Sequence, residues 1–336
     1  MHEFSVLIIR SGALGDLVYA TSVIDALKAQ YGESTRIDFV STPGIAKLFE
    51  KDDRVNRIFP LKHKKVPLWL SGDKKRVVSF SKENPYDLLI NFESGRQFES
   101  LVQKIIAKRK IGYFCSQIHF PKSAVHMVEI IKHIFKEAIS QQIFESAYPR
   151  LIGSSSEEIG IKYNLPSDYV IVSPSNSHQK RNRINYRAWP NDHWRSFIAR
   201  LAEKVPVVII GNRGEEEFFE KLRPFPSNTI DLVGKTPLCD LIGIIEGAKA
   251  LIATDTGTAH IASAVNTEVF ALIGPTPAEV TGPYQTPHNR VHIVTANLEC
   301  SPCYKTPVMK ACKENICMKQ ITPQMLYISL LSAKIV

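Results

Sequence analysis

Four stretches of this 336-residue chain bring together side chains that can do chemistry. The first, Ser11-Gly12-Ala13-Leu14-Gly15-Asp16, is a glycine-bearing turn ending in a carboxylate. Gly12-x-x-Gly15-Asp16 lacks the Lys-Ser/Thr of a Walker A loop and is not the G-x-G-x-x-G dinucleotide fingerprint. Asp16 has two readings. It can cap the helix that follows. Alternatively, at the carboxyl end of a first strand, where open α/β sheets bind ligands, it can take a proton from a hydroxyl nucleophile.

The second stretch is Thr254-Asp255-Thr256-Gly257-Thr258-Ala259-His260. The backbone amides of Thr256, Gly257 and Thr258 would converge at a helix N-terminus, a ready site for a phosphate or diphosphate, and Gly257 allows close backbone approach. His260, one turn in, would donate to a phosphate oxygen; the plainer alternative is a capped helix with a core histidine. The third stretch runs from Ser173 to Trp194. It opens on hydroxyls, Ser173 and Ser175 among them, and continues into Lys180, Arg181, Arg183 and Arg187. Such a loop suits a diphosphate, or is simply an exposed basic loop. Pro190 is expected in the first turn of the helix that follows. The fourth stretch holds Cys300-x2-Cys303-x8-Cys312-x4-Cys317. The first pair has zinc-knuckle spacing, while the other gaps fit no standard finger. A structural metal site, reduced thiols and a disulfide all remain open, with the disulfide disfavoured in a reducing compartment. Cys115 and Cys239 are isolated and read as small core residues.

These groups need elements to hold them. Val6-Leu7-Ile8-Ile9 is a continuous apolar run, as expected of a parallel strand buried on both faces. After the glycine turn, Leu17, Val18, Ala20, Val23, Ile24 and Leu27 recur at helical spacing. Further strands are expected at 36–40, 55–59 and 88–92. A Tyr-, Pro-, Gly- and Ser-rich stretch at 147–166 marks a boundary. A second set follows: strands at 169–173, 205–210, 250–253 and 269–273, with a helix at 191–203. This alternation predicts an α/β protein of two doubly wound, Rossmann-like domains facing across a cleft. The domains are expected at 1–155 and 156–320, and a C-terminal helix at 321–336 is expected to pack back on the first.

Hydrophobic residues make up 44% of the chain and charged ones 22%, with a mean hydropathy of -0.08. That excludes a mostly disordered chain. No apolar stretch approaches the ~18 residues of a membrane span. The N-terminus lacks a basic leader, so a cytoplasmic location is expected. The formal net charge is +9, and residues 1–150 carry most of it: 23 Lys and Arg against 16 Asp and Glu, compared with 19 against 17 beyond. The runs Lys62-His63-Lys64-Lys65, Lys74-Lys75-Arg76 and Lys108-Arg109-Lys110 suggest an anionic partner, whether phosphate groups, an anionic membrane surface or nucleic acid. Each run is equally compatible with a solvated surface.

Taken in order, several of these pieces resemble glycosyltransferase family 9, the ADP-heptose:lipopolysaccharide heptosyltransferases. They are Arg10 through Asp16, Ile37-Asp38-Phe39-Val40, Trp189-Pro190-x-x-His193-Trp194, Asp255 through His260, Gly274-Pro275-Thr276-Pro277, and Cys300-Ser301-Pro302-Cys303 followed by Cys312 and Cys317-Met318. The resemblance covers nearly the whole chain. It implies a GT-B fold, with the acceptor on the first domain and the nucleotide-sugar donor mainly on the second. It also implies inverting transfer of heptose from ADP-heptose to the lipopolysaccharide inner core. Asp16 matches the family's general base, with Gly12 and Gly15 in the acceptor-side loop. Asp255, Thr256, Gly257, Thr258 and His260 match diphosphate and sugar contacts, Glu215 the ribose contact and Thr236 the adenine contact; Ser175 is expected among the donor-binding residues. Arg187 stands where members often carry lysine, keeping the charge but changing its geometry.

Two features depart from the family pattern: residues 177–186 are longer than usual, and the acidic position after the strand near 88–90 reads Asn91-Phe92-Glu93. Catalysis is expected to need no cofactor, with helix-terminal amides and Arg187 meeting the leaving diphosphate. The expected partners are an ADP-sugar and an anionic lipopolysaccharide core at the cytoplasmic face of the inner membrane, with no nucleic acid. The rivals are a family relative using another nucleotide sugar or acceptor, a nicotinamide dehydrogenase, which the missing G-x-G-x-x-G opposes, and a non-catalytic nucleotide- or nucleic-acid-binding protein.

Overall fold

The computed structural model describes residues 3–118, 120, 123, 125–176 and 184–336. The chain divides into two compact units, Met1–Ile152 and Gly153–Val336. In the first, β1 (Ser5–Ile9), β2 (Arg36–Ser41), β3 (Arg57–Pro60), β4 (Tyr86–Asn91) and β5 (Ala107–Gly112) form a parallel sheet in the order β3-β2-β1-β4-β5. In the second, β6 (Val170–Ser173), β7 (Val207–Ile209), β8 (Thr229–Asp231), β9 (Ala250–Thr254), β10 (Glu268–Leu272) and β11 (Val291–Val294) are ordered β11-β10-β9-β6-β7-β8, again all parallel. Strand order reverses beside the first strand of each sheet, between β1 and β4 and between β6 and β9. Chains that leave at such a reversal splay apart and leave room for a ligand at the carboxyl edge. The central strands β1, β6 and β9 are buried along their whole length, which is why their sequences are unbroken apolar runs.

Several elements differ from the sequence reading. The expected single helix after the glycine turn is two, Leu14–Ala20 and Ser22–Tyr31. At the break, the Thr21 hydroxyl donates to the Val18 carbonyl at 2.7 Å and accepts the Arg150 N–H at 3.2 Å. The strands β5, β8 and β11 have no apolar run to announce them, because all three lie at sheet edges. The basic run Lys108-Arg109-Lys110 is part of β5, where charge protects an edge from further pairing. Its cations are engaged: Lys108 with Asp87 at 2.7 Å, Arg109 with Glu137 at 3.5 Å, and Lys110 with the Val102 and Gln103 carbonyls at 2.9 and 3.1 Å.

The closing helix, Pro323–Ser332, is part of the second unit. Leu326, Leu330 and the following Ile335 bury in one core with Trp194, Phe197 and Phe270. Trp189 anchors the approach to that helix, its indole N–H donating to the Ile321 carbonyl at 2.7 Å. Burial of those apolar side chains against the helix Asn191–Ala202 decides where the helix lies.

Near the start of the second unit, the buried Asp240 accepts from the Ser154 hydroxyl at 2.8 Å, Lys162 at 2.6 Å and the Tyr163 hydroxyl at 2.7 Å. Burial by itself would raise its pKa, but the bonds from Lys162, Tyr163 and Ser154 outweigh it and hold the carboxyl below its usual 3.8. A carboxyl lowered on folding stabilises above its unfolded value, and that stability is lost as pH falls through the folded value. Asp240→Asn is therefore expected to cost about 1–3 kcal/mol at neutral pH, discounted because Lys162 is half exposed. In urea unfolding the gap from wild type should close as pH falls below 3.8. A gap that persists unchanged into acid would assign the cost to packing instead.

Candidate active site

At the switch point of the first sheet, the chain turns from β1 into the helix Leu14–Ala20. Asp16 lies in the first turn of that helix, with Gly15 beside it. One carboxylate oxygen accepts the Ala13 N–H at 2.9 Å, and the other meets the Arg10 guanidinium at 3.0 Å. Arg10, itself nearly buried, also donates to the Phe92 carbonyl at 3.0 Å and the Asp16 carbonyl at 3.2 Å. Both readings of Asp16 are thus compatible with one geometry. It caps its helix, yet its side chain is 38% exposed, and a carboxylate oxygen with one partner keeps a lone pair for a proton. Gly12 makes this possible: a Cβ there would lie 2.4 Å from the Asp16 Oδ2 atom.

Glu93, the acidic residue of the departing Asn91-Phe92-Glu93 stretch, fastens this loop from β4. Its Oε1 accepts both the Ser11 N–H at 2.6 Å and the Ser11 hydroxyl at 3.1 Å. Asn91 in turn donates to the Glu93 carbonyl at 3.1 Å and the Tyr113 carbonyl at 2.8 Å. Two lysines complete the support. Lys64 donates to the Ser11 carbonyl, and the fully buried Lys74 donates to the carbonyls of Lys64 and Gln97 at 2.9 and 2.7 Å. Burial lowers the Lys74 pKa from its usual value. Sequence reasoning missed Glu93 and Lys74 as supports, since nothing local distinguishes Lys74 from the exposed Lys75 beside it.

In the second unit, four loops at the carboxyl edge carry the expected donor residues. Ser175, beyond β6, donates to Glu215 at 2.7 Å; the same Glu215 oxygen accepts the Asn212 N–H at 2.9 Å. Both side chains are buried. Thr236 is half-buried in the loop after β8, which the Gly234 N–H ties to the Gly211 carbonyl after β7 at 2.9 Å. Across the reversal between β6 and β9, the Thr258 hydroxyl donates to Ser173 at 3.0 Å. Thr256 is the cap residue of the helix Gly257–Ala264, and its side chain makes no capping bond. The first-turn amides of Gly257 and Thr258 therefore receive no bond from that side chain, at the positive end of the helix dipole. His260 is buried within the helix.

Arg187 and Asp255 form an ion pair at 3.3 Å without hydrogen-bond alignment, 19% and 7% exposed. The guanidinium lies 4.9 Å from the centre of the Tyr304 ring. Pro190 is the cap residue of its helix, one step before the expected first turn. Lys180, Arg181 and Arg183 lie outside the described residues.

The cysteine-bearing segment builds part of this surroundings. The Cys303 and Tyr304 N–H groups both donate to the Pro275 carbonyl at 2.8 Å. The Tyr186 hydroxyl donates to the Cys312 carbonyl at 3.0 Å, and Asn315 donates to the Ala188 carbonyl at 2.7 Å. Gly274 makes room for it: a Cβ there would lie 2.8 Å from the Cys317 sulfur. All four cysteines are free thiols. Among the described residues no group of three or more His, Cys, Asp or Glu side chains is gathered as a metal ion would require. Burial pushes the Cys303 and Cys317 thiols up, and the neighbouring cysteines add to it. In this structure the segment packs beside the Arg187 loop and sets Tyr304 against the guanidinium.

Two doubly wound parallel-sheet units, with an exposed carboxylate at one switch point and a cation beside a helix N-terminus at the other, have the architecture of the GT-B fold. Residues 114–313 match the model of glycosyltransferase family 9 (heptosyltransferase), and the chain belongs to that family. It is 23% identical over 320 residues to lipopolysaccharide heptosyltransferase 1 of Pseudomonas aeruginosa, covering 89% of this chain and 86% of that one. Among solved structures, E. coli ADP-heptose lipopolysaccharide heptosyltransferase II has a TM-score of 0.77 at 19% identity, covering 99% of this chain and 98% of that one. E. coli heptosyltransferase WaaC with ADP-2-deoxy-2-fluoro heptose has a TM-score of 0.68 at 17% identity, covering 98% and 100%. No described helix is long and apolar enough to cross a membrane.

Proposed function

We propose that this enzyme transfers heptose from ADP-heptose to the inner core of lipopolysaccharide, with inversion, at the cytoplasmic face of the inner membrane. The observation that carries the donor half is the pairing of Arg187 with Asp255, two residues before the helix Gly257–Ala264, together with the Ser175–Glu215 bond on the same carboxyl edge. A diphosphate needs cations and backbone amides, and a ribose needs a fixed carboxylate; these residues supply both. The relatives named for heptosyl transfer, and the one solved with an ADP-heptose analogue, support the same donor.

On the acceptor side, Asp16 takes the proton of the attacking hydroxyl as its oxygen bonds to the anomeric carbon. The bond from that carbon to the diphosphate breaks in the same displacement, and ADP leaves with the electron pair. Arg187 and the amides of Gly257 and Thr258 meet the charge that develops on the diphosphate. No resident cofactor enters this scheme; any ion held by Cys300, Cys303, Cys312 and Cys317 would be structural.

Incubation with ADP-heptose and a deacylated inner-core acceptor, followed by product mass and ADP release, tests the proposal. The expected product gains one heptose, has inverted anomeric configuration, and forms at the same rate with a chelator present. Product from a different nucleotide sugar alone would assign the enzyme to another branch of the family. Oligonucleotide binding without turnover would overturn the reading.

A further inference from the structure

Residues 62–73 leave β3 and return almost to their starting point: the Lys62 N–H donates to the Asp73 carboxylate at 2.9 Å and closes the segment into a loop. The base of this loop is fixed from within by the buried Lys74 and by Lys64, which reaches Ser11 on the Asp16 loop. Its tip is built differently. Trp69 is 70% exposed and the adjacent Leu70 is 59% exposed, whereas Trp189 and Trp194 are buried. Exposed cations stand on both sides in sequence, Lys62 and Lys65 in the loop and Lys75 and Arg76 early in the helix Gly72–Glu83. A single exposed leucine requires no explanation. An exposed Trp-Leu pair flanked by cations has the composition of an interfacial anchor, in which the indole rests at headgroup level and basic residues meet anionic lipid.

We propose that the Trp69–Leu70 tip docks this enzyme on an anionic lipid bilayer. The two apolar side chains enter the boundary between headgroups and acyl chains, and Lys62, Lys65, Lys75 and Arg76 face headgroup phosphates. Charge complementarity selects this occupant. A nucleic acid would use the cations but leave Leu70 in water, and a second copy of the chain would set like charges against each other. Because β3 and β1 both run parallel to β2, the loop leaves the same edge of the sheet as Asp16, and Lys64 couples the two loops directly. Docking would therefore hold the Asp16 loop at the membrane surface, a consequence that rests on the proposed lipopolysaccharide acceptor; the lipid binding itself does not.

The chain has three tryptophans, and only Trp69 is exposed, so intrinsic fluorescence reports on the tip. Phosphatidylcholine vesicles containing phosphatidylglycerol are expected to shift the emission to the blue. Brominated acyl chains should quench it, and co-sedimentation should weaken as salt is raised. Trp69→Ser with Leu70→Ser should reduce vesicle affinity about tenfold or more. Lys75→Glu with Arg76→Glu should do so to a similar extent, about tenfold or more. The serine variant should keep the wild-type melting temperature and its rate on a soluble, deacylated acceptor. Vesicle binding undiminished in the serine variant would overturn the proposal. So would a blue shift produced by concentrating the protein alone, which would assign the tip to a second copy, or one produced by oligonucleotide. If transferase activity is absent but vesicle binding follows this pattern, the anchor stands and only the acceptor reading fails.

Discussion

Asp16→Asn is expected to lower kcat by about 10²–10⁴ while leaving ADP affinity within about twofold of wild type, because a general base acts on the acceptor hydroxyl and not on the nucleotide. The geometry of the loop makes asparagine the sharper probe. Its amide oxygen can still accept the Ala13 N–H that Asp16 accepts at 2.9 Å, so the helix keeps its cap. Alanine would lose the cap as well, at about 1 kcal/mol, while either substitution leaves the nearly buried Arg10 without its carboxylate. Both variants would be slow, and a melting curve would show the further loss of the cap in alanine. If Asp16→Asn keeps more than about a tenth of the wild-type kcat, the carboxylate serves only as a cap and the base lies elsewhere.

The second large effect is expected at Arg187. Removing a charge-assisted contact to the diphosphate costs about 1.5–3 kcal/mol, roughly tenfold to a hundredfold in ADP affinity. Arg187→Ala should fall at the upper end of that range, because it also leaves Asp255, 7% exposed, as an unpaired negative charge beside the site. The double variant with Asp255→Asn separates the two contributions: it should recover the share caused by repulsion and none of the share caused by the lost cation. Arg187→Lys, which keeps the charge but not the planar fork stacked near Tyr304, should lie between. Calorimetric titration with ADP and a steady-state rate decide the matter. Unchanged affinity together with an unchanged rate would make Arg187 a structural partner of Asp255 and Tyr304.

Much of the fold and part of the candidate site are legible in the sequence. The run Val6-Leu7-Ile8-Ile9, the Gly12 turn and the apolar spacing after it specify strand, loop and helix through local physics alone. The same holds for β6, β9 and the turn at Gly257. Periodicity and glycine placement are properties of neighbouring residues, so the alternation that defines two doubly wound units, and the loops at its strand ends, are legible directly.

Tertiary structure alone decided which residues meet. Ser11 and Glu93 are 82 positions apart, and Ser175 and Glu215 are 40 apart. Each pair meets because strands adjacent in the sheet are distant in sequence, and strand order is set by how whole helices bury their apolar faces. The same cause hid β5 within a basic run and sent the closing helix onto the second unit's core. It also gave three similar-looking lysines different roles: Lys64 holding Ser11, Lys74 buried beneath the loop, and Lys75 in water. Local sequence sets which groups a chain can offer, but burial and pairing depend on surfaces assembled from distant segments, and only the folded chain creates those.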